Sequence, residues 1–469
     1  MKSKLSKFTD FAQCVLPLEA DFLYHFQKFE DDEKKSILQS IVDLAKSRNT
    51  EGNFDQTIDK RKYSYVKRWC EQLLIHLDVD KNMEKLLNWE MLIMTDSIAL
   101  RDERDLLKLI QNTDPSDFNF IKIYDISRTY RHYLQIRLRY KDYQLVNQFQ
   151  TEFRTDYEFS KLVNDKLHET TNDIISDYSR KKSVNYTDSF PWLSSLFYNE
   201  KLDGYNRILA WIRMVFIAHN MKKYDLLRDM FVYFEKQVSD GKFYSRRIVT
   251  NFYSQYLLYY SAHQDFEKAA YYGYLSIKEK NNDYLYYVNN LAAVLLRGGR
   301  SDDALHILRE SASVAKTSVN YHNKIGHAAF ILFSLIDSGN AKQAENHGFV
   351  FLTAFKKEIF EHRWHLFFNA YIKAMLINGN YSEVVKVYST FRLADKDDIY
   401  KKSANYSPTI PWMFHLASFK HGDITFAQLK TLLQSLVVKD GDLNPNMVSE
   451  DLVTIAKIVL KGQFGKLDV

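Results

Sequence analysis

One short phrase, a turn followed by the start of a helix, recurs along the chain. It reads Lys141-Asp-Tyr-Gln-Leu-Val146, Lys222-Lys-Tyr-Asp-Leu-Leu227, Gln264-Asp-Phe-Glu-Lys-Ala269, Gly299-Arg-Ser-Asp-Asp-Ala304, Gly339-Asn-Ala-Lys-Gln-Ala344 and Gly379-Asn-Tyr-Ser-Glu-Val384. Self-similarity at a period of roughly 20 to 50 residues means that a unit cannot bury its apolar face alone and has to stack on its neighbours. The last four phrases end at Ala269, Ala304, Ala344 and Val384, so the spacing is 35, 40 and 40 residues. Repetition on this scale points to a stack of similar units rather than one compact core.

Composition agrees. The 469 residues exceed the size, roughly 250–300, at which a single core stops growing. Only 6 prolines and 14 glycines stand against 32 tyrosines and 32 phenylalanines, which suits closely spaced helices packed through large side chains. The chain reads as all-α. A net charge of +5 from 64 basic and 59 acidic residues is too balanced to mark a nucleic-acid binder, so any basic surface must be local. Cys14 and Cys70 are too few for a disulfide framework and lack zinc-site spacing, which points to a reducing, cytoplasmic setting. The basic cluster Lys2, Lys4 and Lys7 is followed by Asp10, Gln13, Pro17 and Glu19, not by the apolar run of a secretion signal. The apolar stretch from Leu209 to Ala218 contains Arg213 and is shorter than the ~20 residues that cross a bilayer, so a soluble protein with no membrane association is expected.

Around each phrase the residues keep a register. In the clearest unit Leu291 and Ala292 are followed by Leu295, Gly299, Ala304 and Leu308. Trp211, Phe231 and Phe234 mark the unit of Leu227; Tyr253, Leu257, Tyr260 and Ala269 mark the next. Ile331, Leu332, Leu335, Gly339, Ala344 and Phe351 follow, then Phe368, Tyr371, Ile372, Met375, Gly379, Val384, Tyr388 and Phe391. This pattern resembles the tetratricopeptide repeat, a pair of antiparallel helices with large residues at position 4, Leu and a small residue at 7 and 8, turn glycine near 15, alanine at 20 and an aromatic at 24. The small residue at 20 lets the second helix approach the first, and glycine relieves the backbone where the first helix stops. The chain departs from the family in its longer spacing, which keeps longer-period helical repeats open, and in placing Gly273 and Gly348 at position 24.

The resemblance covers residues 125 to 395, most fully from 205 onwards. The expected fold is an α-solenoid of such helix pairs over 121–395, preceded by a helical N-terminal domain over 1–120 and closed by a C-terminal helical cap over 396–469. In the first of these flanks Phe22, Leu23, Phe26, Ile37, Ile41, Leu44, Trp69, Leu73, Leu74 and Leu77 keep helical spacing, broken at Asn49–Asn53 and Asp114-Pro115. The polar stretch Ser179–Ser189 reads as a long loop in a degenerate unit. Beyond Asp395-Lys-Asp-Asp398 and the prolines Pro408 and Pro411, three shorter helical patterns end near Leu460.

The resemblance implies that first helices line a concave groove through positions 2, 5, 6, 9, 12 and 13. Those positions carry Arg128, Arg131, Gln135 and Arg139, then Arg213 and His219, Asn251 and Gln255, Asn289, Asn290 and Arg297, and finally Asn369 and Lys373. Asparagine amides donate and accept at once, and arginine takes a carboxylate through two parallel bonds, so a protein or peptide partner with an acidic or C-terminal segment is the expected ligand. The competing class is RNA, for which Arg128–Lys141 offers cations with interleaved tyrosines; Tyr130, Tyr133 and Leu134, however, fall on the inward face. A regulatory subunit of a larger assembly is the third reading. No enzyme signature emerges. The string Glu361-His-Arg-Trp-His365 sets two histidines three apart and lacks the Glu between histidines at i and i+4 that metalloprotease chemistry uses. His322 and His327 are five apart, and Gly298-Gly299 lacks a phosphate-loop ending. No cofactor or metal is implied.

Overall fold

The computed structural model describes residues 5–47, 54–180, 189–401, 406–437 and 450–467. Every regular element among them is helical. The breaker Asn49–Asn53 and the core of the Ser179–Ser189 stretch, residues 181–188, lie outside the described residues. The chain divides into two compact units, Met1–Gln255 and Tyr256–Val469.

The first unit runs through α1 (Ser6–Cys14), α2 (Pro17–Phe26), α3 (Asp32–Lys46), α4 (Lys60–Leu77), α5 (Val79–Met94), α6 (Leu100–Asn112), α7 (Phe120–Ile136), α8 (Tyr140–Glu152), α9 (Arg154–Arg180), α10 (Ser189–Phe197), α11 (Gly204–Asn220), α12 (Arg228–Ser239) and α13 (Arg246–Ala262), within which the boundary falls. Leu23, Ile37 and Ile41 are buried as their helical spacing requires, in a core shared by α1 to α4, while α4 contributes Val66 and Cys70 and leaves Trp69, Leu73 and Leu74 only partly covered. Asp114 does break the chain: its carboxylate accepts from the Ser116 N–H at 2.9 Å just after α6 ends. The buried Glu19 on α2 anchors these N-terminal helices to the end of the unit, accepting from the Tyr244 hydroxyl at 2.8 Å and pairing with Arg246 at 3.2 Å.

The second unit continues with α14 (Phe266–Ser276), α15 (Tyr284–Arg297), α16 (Ser301–Glu310), α17 (Ala312–Thr317), α18 (Tyr321–Asp337), α19 (Ala341–His362), α20 (Trp364–Ile377), α21 (Tyr381–Thr390), α22 (Leu393–Tyr400), α23 (Thr409–His421), α24 (Phe426–Val437) and α25 (Glu450–Leu460). Helices α15, α18, α20 and α23 pack side by side, and α16, α19 and α21 each cover the hairpin partner before them. The 40-residue spacings have a visible source: α17 is an extra turn after α16, and α19 continues past a break at Phe355 to His362. The three C-terminal patterns are α23 to α25, which share one core with the last repeats; Trp412 is buried there and its indole N–H donates to the Leu452 carbonyl at 3.2 Å. The charged run Asp395–Asp398 lies in α22, with Asp397 buried and accepting from the Tyr406 hydroxyl at 2.7 Å.

All six phrases share one backbone device. Leu138, Lys222, Gln264, Gly299, Gly339 and Gly379 adopt left-handed φ of 56°, 53°, 61°, 72°, 76° and 77°. In each, the next N–H returns to the carbonyl five residues back, at 2.7 to 3.1 Å, as from Arg300 to Leu295 and from Asn340 to Leu335. This closes the first helix by satisfying a terminal carbonyl. The residues five positions after the last five of these turns, Leu227, Ala269, Ala304, Ala344 and Val384, are completely buried. At the first phrase the residue five positions on, Tyr143, is half-buried, and it is Val146, three positions further, that is completely buried. Asp96, Gly241 and Gly422 make the same turn at helix ends that carry no recognisable phrase.

Glycine at position 24 also finds its reason. A Cβ on Gly348 would lie 2.4 Å from Cδ2 of Tyr371, and one on Gly273 would lie 2.6 Å from Cδ1 of Leu291. Tyr371 and Leu291 both occupy position 7 of the following unit, so the large side chain comes from the facing helix and the second helix yields space for it.

Candidate functional site

The basic residues of α7 and the turn after it divide by their surroundings. Arg128 and Gln135 stay on its exposed face. Arg131 turns toward α8 and donates to Oδ1 of Asn147 at 3.0 Å. Arg139 lies past the turn, before α8, where it pairs with Asp142 at 2.6 Å and with the buried Glu103. Glu103 also accepts from the Tyr130 hydroxyl at 2.7 Å, so Arg139 neutralises an internal carboxylate. Tyr130 and Leu134 are fully buried and Tyr133 half-buried beneath Arg137, which sits 3.7 Å above its ring. Packing therefore takes the tyrosines that would be needed for base stacking along this helix.

Arg213 is 7% exposed and braces α11, its guanidinium donating to the carbonyls of Leu167 at 2.8 Å and Leu209 at 2.7 Å. Its pKa is lowered by burial. His219 and Gln255 meet across α11 and α13 at 2.9 Å, with burial lowering the histidine pKa despite that bond; Asn251, one turn before Gln255, is half-buried.

In the second unit the candidates fall into two groups. Arg297 and Lys373 lie toward the C-terminal ends of α15 and α20 and reach back one repeat: Arg297 to the Ser261 hydroxyl at 2.9 Å, Lys373 to Asp337 at 3.7 Å. Ser338 does the same toward Asp302 at 2.7 Å. These are rungs between repeats. Asn369 is half-buried one turn before Lys373.

The other group lies toward the N-terminal halves of the same helices. Asn289 is 3% exposed; its amide donates to the Asn323 carbonyl on α18 at 2.9 Å, while its Oδ1 has no hydrogen-bond partner. The Nδ2 of half-buried Asn290 is likewise unpartnered. Facing them, α18 presents Gly326, where an added Cβ would lie 2.7 Å from Nη1 of Arg363 and 3.1 Å from Nδ2 of Asn289. The missing side chain thus lets a guanidinium from the start of α20 approach Asn289. His322, one turn earlier on α18, has its pKa pushed down to about 4, chiefly by burial and further by the Arg363 guanidinium. Eight residues separate Asn289 from Arg297, about 12 Å along a helix, so the two groups are distinct.

Arg363 and Gly326 escape a sequence reading as groove residues. Arg363 precedes α20 within a string whose histidines suggest metal spacing, and only the glycine at position 2 of its unit hints at a close approach on α18. The two histidines of α18 part company: Nε2 of His327 is buried against the Leu308 carbonyl at 2.9 Å and the Ser311 hydroxyl at 3.0 Å. No cluster of three or more His, Cys, Asp or Glu side chains able to hold a metal ion occurs among the described residues, and none of their helices is long and apolar enough to cross a membrane. Comparison with known proteins returned no match to a family model, to a curated protein or to a solved structure.

Proposed function

We propose that the chain is a non-enzymatic binding scaffold or adaptor of the tetratricopeptide type, whose stacked first helices form a groove for an acidic or C-terminal segment of a partner protein. The observation that carries the reading is Asn289, whose buried Oδ1 has no partner, set beside Gly326 and the Arg363 guanidinium, with the unpartnered Nδ2 of its neighbour Asn290 on the same helix. Unpartnered buried amides are costly, and a peptide backbone offers both a donor and an acceptor to them. The Arg363 guanidinium favours a carboxylate beside that backbone. Affinity spread over several repeats accounts for polar residues distributed along the helices rather than gathered in one catalytic constellation.

The test uses the intact protein and fluorescent peptides of alternating Asp and Glu, with a free or an amidated C-terminus, followed by anisotropy. Binding weakened at least tenfold by Arg363→Glu and by Asn290→Ala, with unchanged helical circular dichroism, is the expected result. Equal binding by the wild type and Arg363→Glu, or binding to single-stranded RNA in preference to either peptide, would overturn the reading.

A further inference from the structure

A second, separate feature lies wholly within the first unit. A cleft of about 660 Å³ opens between α5, α6 and its connection to α7, the start of α11 and the loop before α13. Its volume is in the range of small-molecule sites. Three aromatic side chains, Trp89, Phe118 and Phe243, line it. Phe118 and Phe243 meet edge to face at 6.3 Å, and both press on Gly204, where a Cβ would lie 2.9 Å from Phe118 and 3.0 Å from Phe243.

The wall carries a strained residue. Phe243 has φ of +58°, a left-handed conformation that a bulky aromatic residue rarely adopts. It is held there from both sides, by the Lys242 N–H on the Gln237 carbonyl and by the Val79 N–H on the Tyr244 carbonyl, each at 2.8 Å. These bonds and the contact with Phe118 set the ring against the cleft.

The polar groups are uneven. Four cations, Lys85, Lys108, Lys242 and Arg207, line the cleft with two carboxylates, Asp105 and Asp117. Lys85 lies 4.4 Å above the Trp89 ring, and Arg207, 1% exposed, lies 4.7 Å above Phe243. Arg207 donates to the Phe197 carbonyl at 3.0 Å and the Tyr233 hydroxyl at 2.6 Å, and directly to no carboxylate among the described residues. Asn119, 7% exposed, donates to the Val79 carbonyl at 3.1 Å, which leaves its Oδ1 buried and without a partner. Arg207 is balanced only indirectly, through the Tyr233 hydroxyl that donates on to Glu200 at 3.1 Å, and a buried acceptor without a donor is costly unless something supplies the missing group.

From these features we infer that the cleft binds a small planar aromatic acid bearing an N–H or O–H donor. The aromatic body packs between Trp89, Phe118 and Phe243, the anionic group meets the surrounding cations, and the donor satisfies Oδ1 of Asn119. Nothing in this requires the peptide groove of the second unit.

The probe 8-anilino-1-naphthalenesulfonate has all three elements: fused rings, an anilino N–H and a sulfonate. Its neutral analogue N-phenyl-1-naphthylamine keeps the rings and the N–H and lacks the charge. Titration of the intact protein should give one site per chain, quench Trp89, and favour the sulfonate at least tenfold over the neutral compound. Lys85 and Lys108 are exposed, so Lys85→Gln combined with Lys108→Gln leaves the fold intact and should weaken the sulfonate about tenfold without altering the neutral analogue; Trp89→Phe should remove the quenching. The inference is overturned by many weak sites per chain, by equal affinity for the two probes, or by sulfonate binding unchanged in the lysine double variant.

Discussion

Replacing Gly348 by alanine separates local helix preference from tertiary packing, because the two push in opposite directions. In the interior of α19, alanine is favoured over glycine by about 1 kcal/mol. Against this, the new Cβ would stand 2.4, 3.0 and 3.2 Å from Cδ2, Cε2 and Cγ of Tyr371, whose ring is 4% exposed on α20 and cannot swing into solvent. Overpacking of this kind costs about 1–3 kcal/mol. The net expectation is a loss of up to about 2 kcal/mol, confined to the second unit. Tyr371→Ala alone should cost more, about 3–5 kcal/mol, by analogy with other buried aromatic truncations. In that background the clash has gone, and Gly348→Ala should become stabilising by about 1 kcal/mol. The two substitutions are therefore coupled by about 1–3 kcal/mol, which a double-mutant cycle measures. Urea unfolding followed by circular dichroism, with hydrogen exchange of α19 and α20 to locate the change, provides the four free energies. If Gly348→Ala raised stability equally with and without the Tyr371 ring, the explanation of the glycine at position 24 would be wrong.

The turns and the buried histidines lead to two further outcomes. Leu138 is exposed and left-handed, a conformation that disfavours a side chain by about 1–2 kcal/mol, so Leu138→Gly should yield a net gain of about 0.5–1 kcal/mol in urea unfolding after the greater chain entropy of glycine; a loss of stability would mean that the turn is not formed as described. His327 has its pKa pushed down to about 4 by burial, against 6.5 for an unhindered histidine, so the folded state holds it neutral while the unfolded chain takes up a proton. Its contribution is complete above pH 6.5 and is lost as pH falls toward 4. The urea midpoint should drop over that window less steeply in His327→Gln than in the wild type, and parallel curves would refute the assignment.

Much of the local design can be read along the chain. Small residues at Ala269, Ala304 and Ala344 and glycines at 299, 339 and 379 reveal helix pairs because a close helix contact and a left-handed turn each restrict the residue types that fit. The C-terminal helical patterns are legible for the same reason, through spacing alone. Lys222 and Gln264 bear the turn without glycine and keep the phrase, whereas at Leu138 the turn falls three residues before the phrase; there Arg131 donates to Asn147 and Arg139 pairs with Asp142, partners that no spacing announces. Asp96 shows the same turn with no marker at all.

The candidate site is less legible than the fold. Asn289 and Asn290 are visible as polar residues at groove positions, yet Arg363 comes from the start of α20 and approaches Asn289 across a position, Gly326, that lacks a side chain. Arg213, Arg297 and Lys373 have the composition of ligand-binding residues, but their partners are carbonyls, a hydroxyl and a carboxylate of the protein itself. Helix positions and most hairpin turns follow from neighbours a few residues away, so the order of the amino acids suffices to place them. Which polar groups are satisfied inside the protein, and which are left without partners, is settled only when helices far apart in the chain come together. The side chains that meet there, Asn289 with Arg363 and Phe118 with Phe243, have no local pattern to announce them.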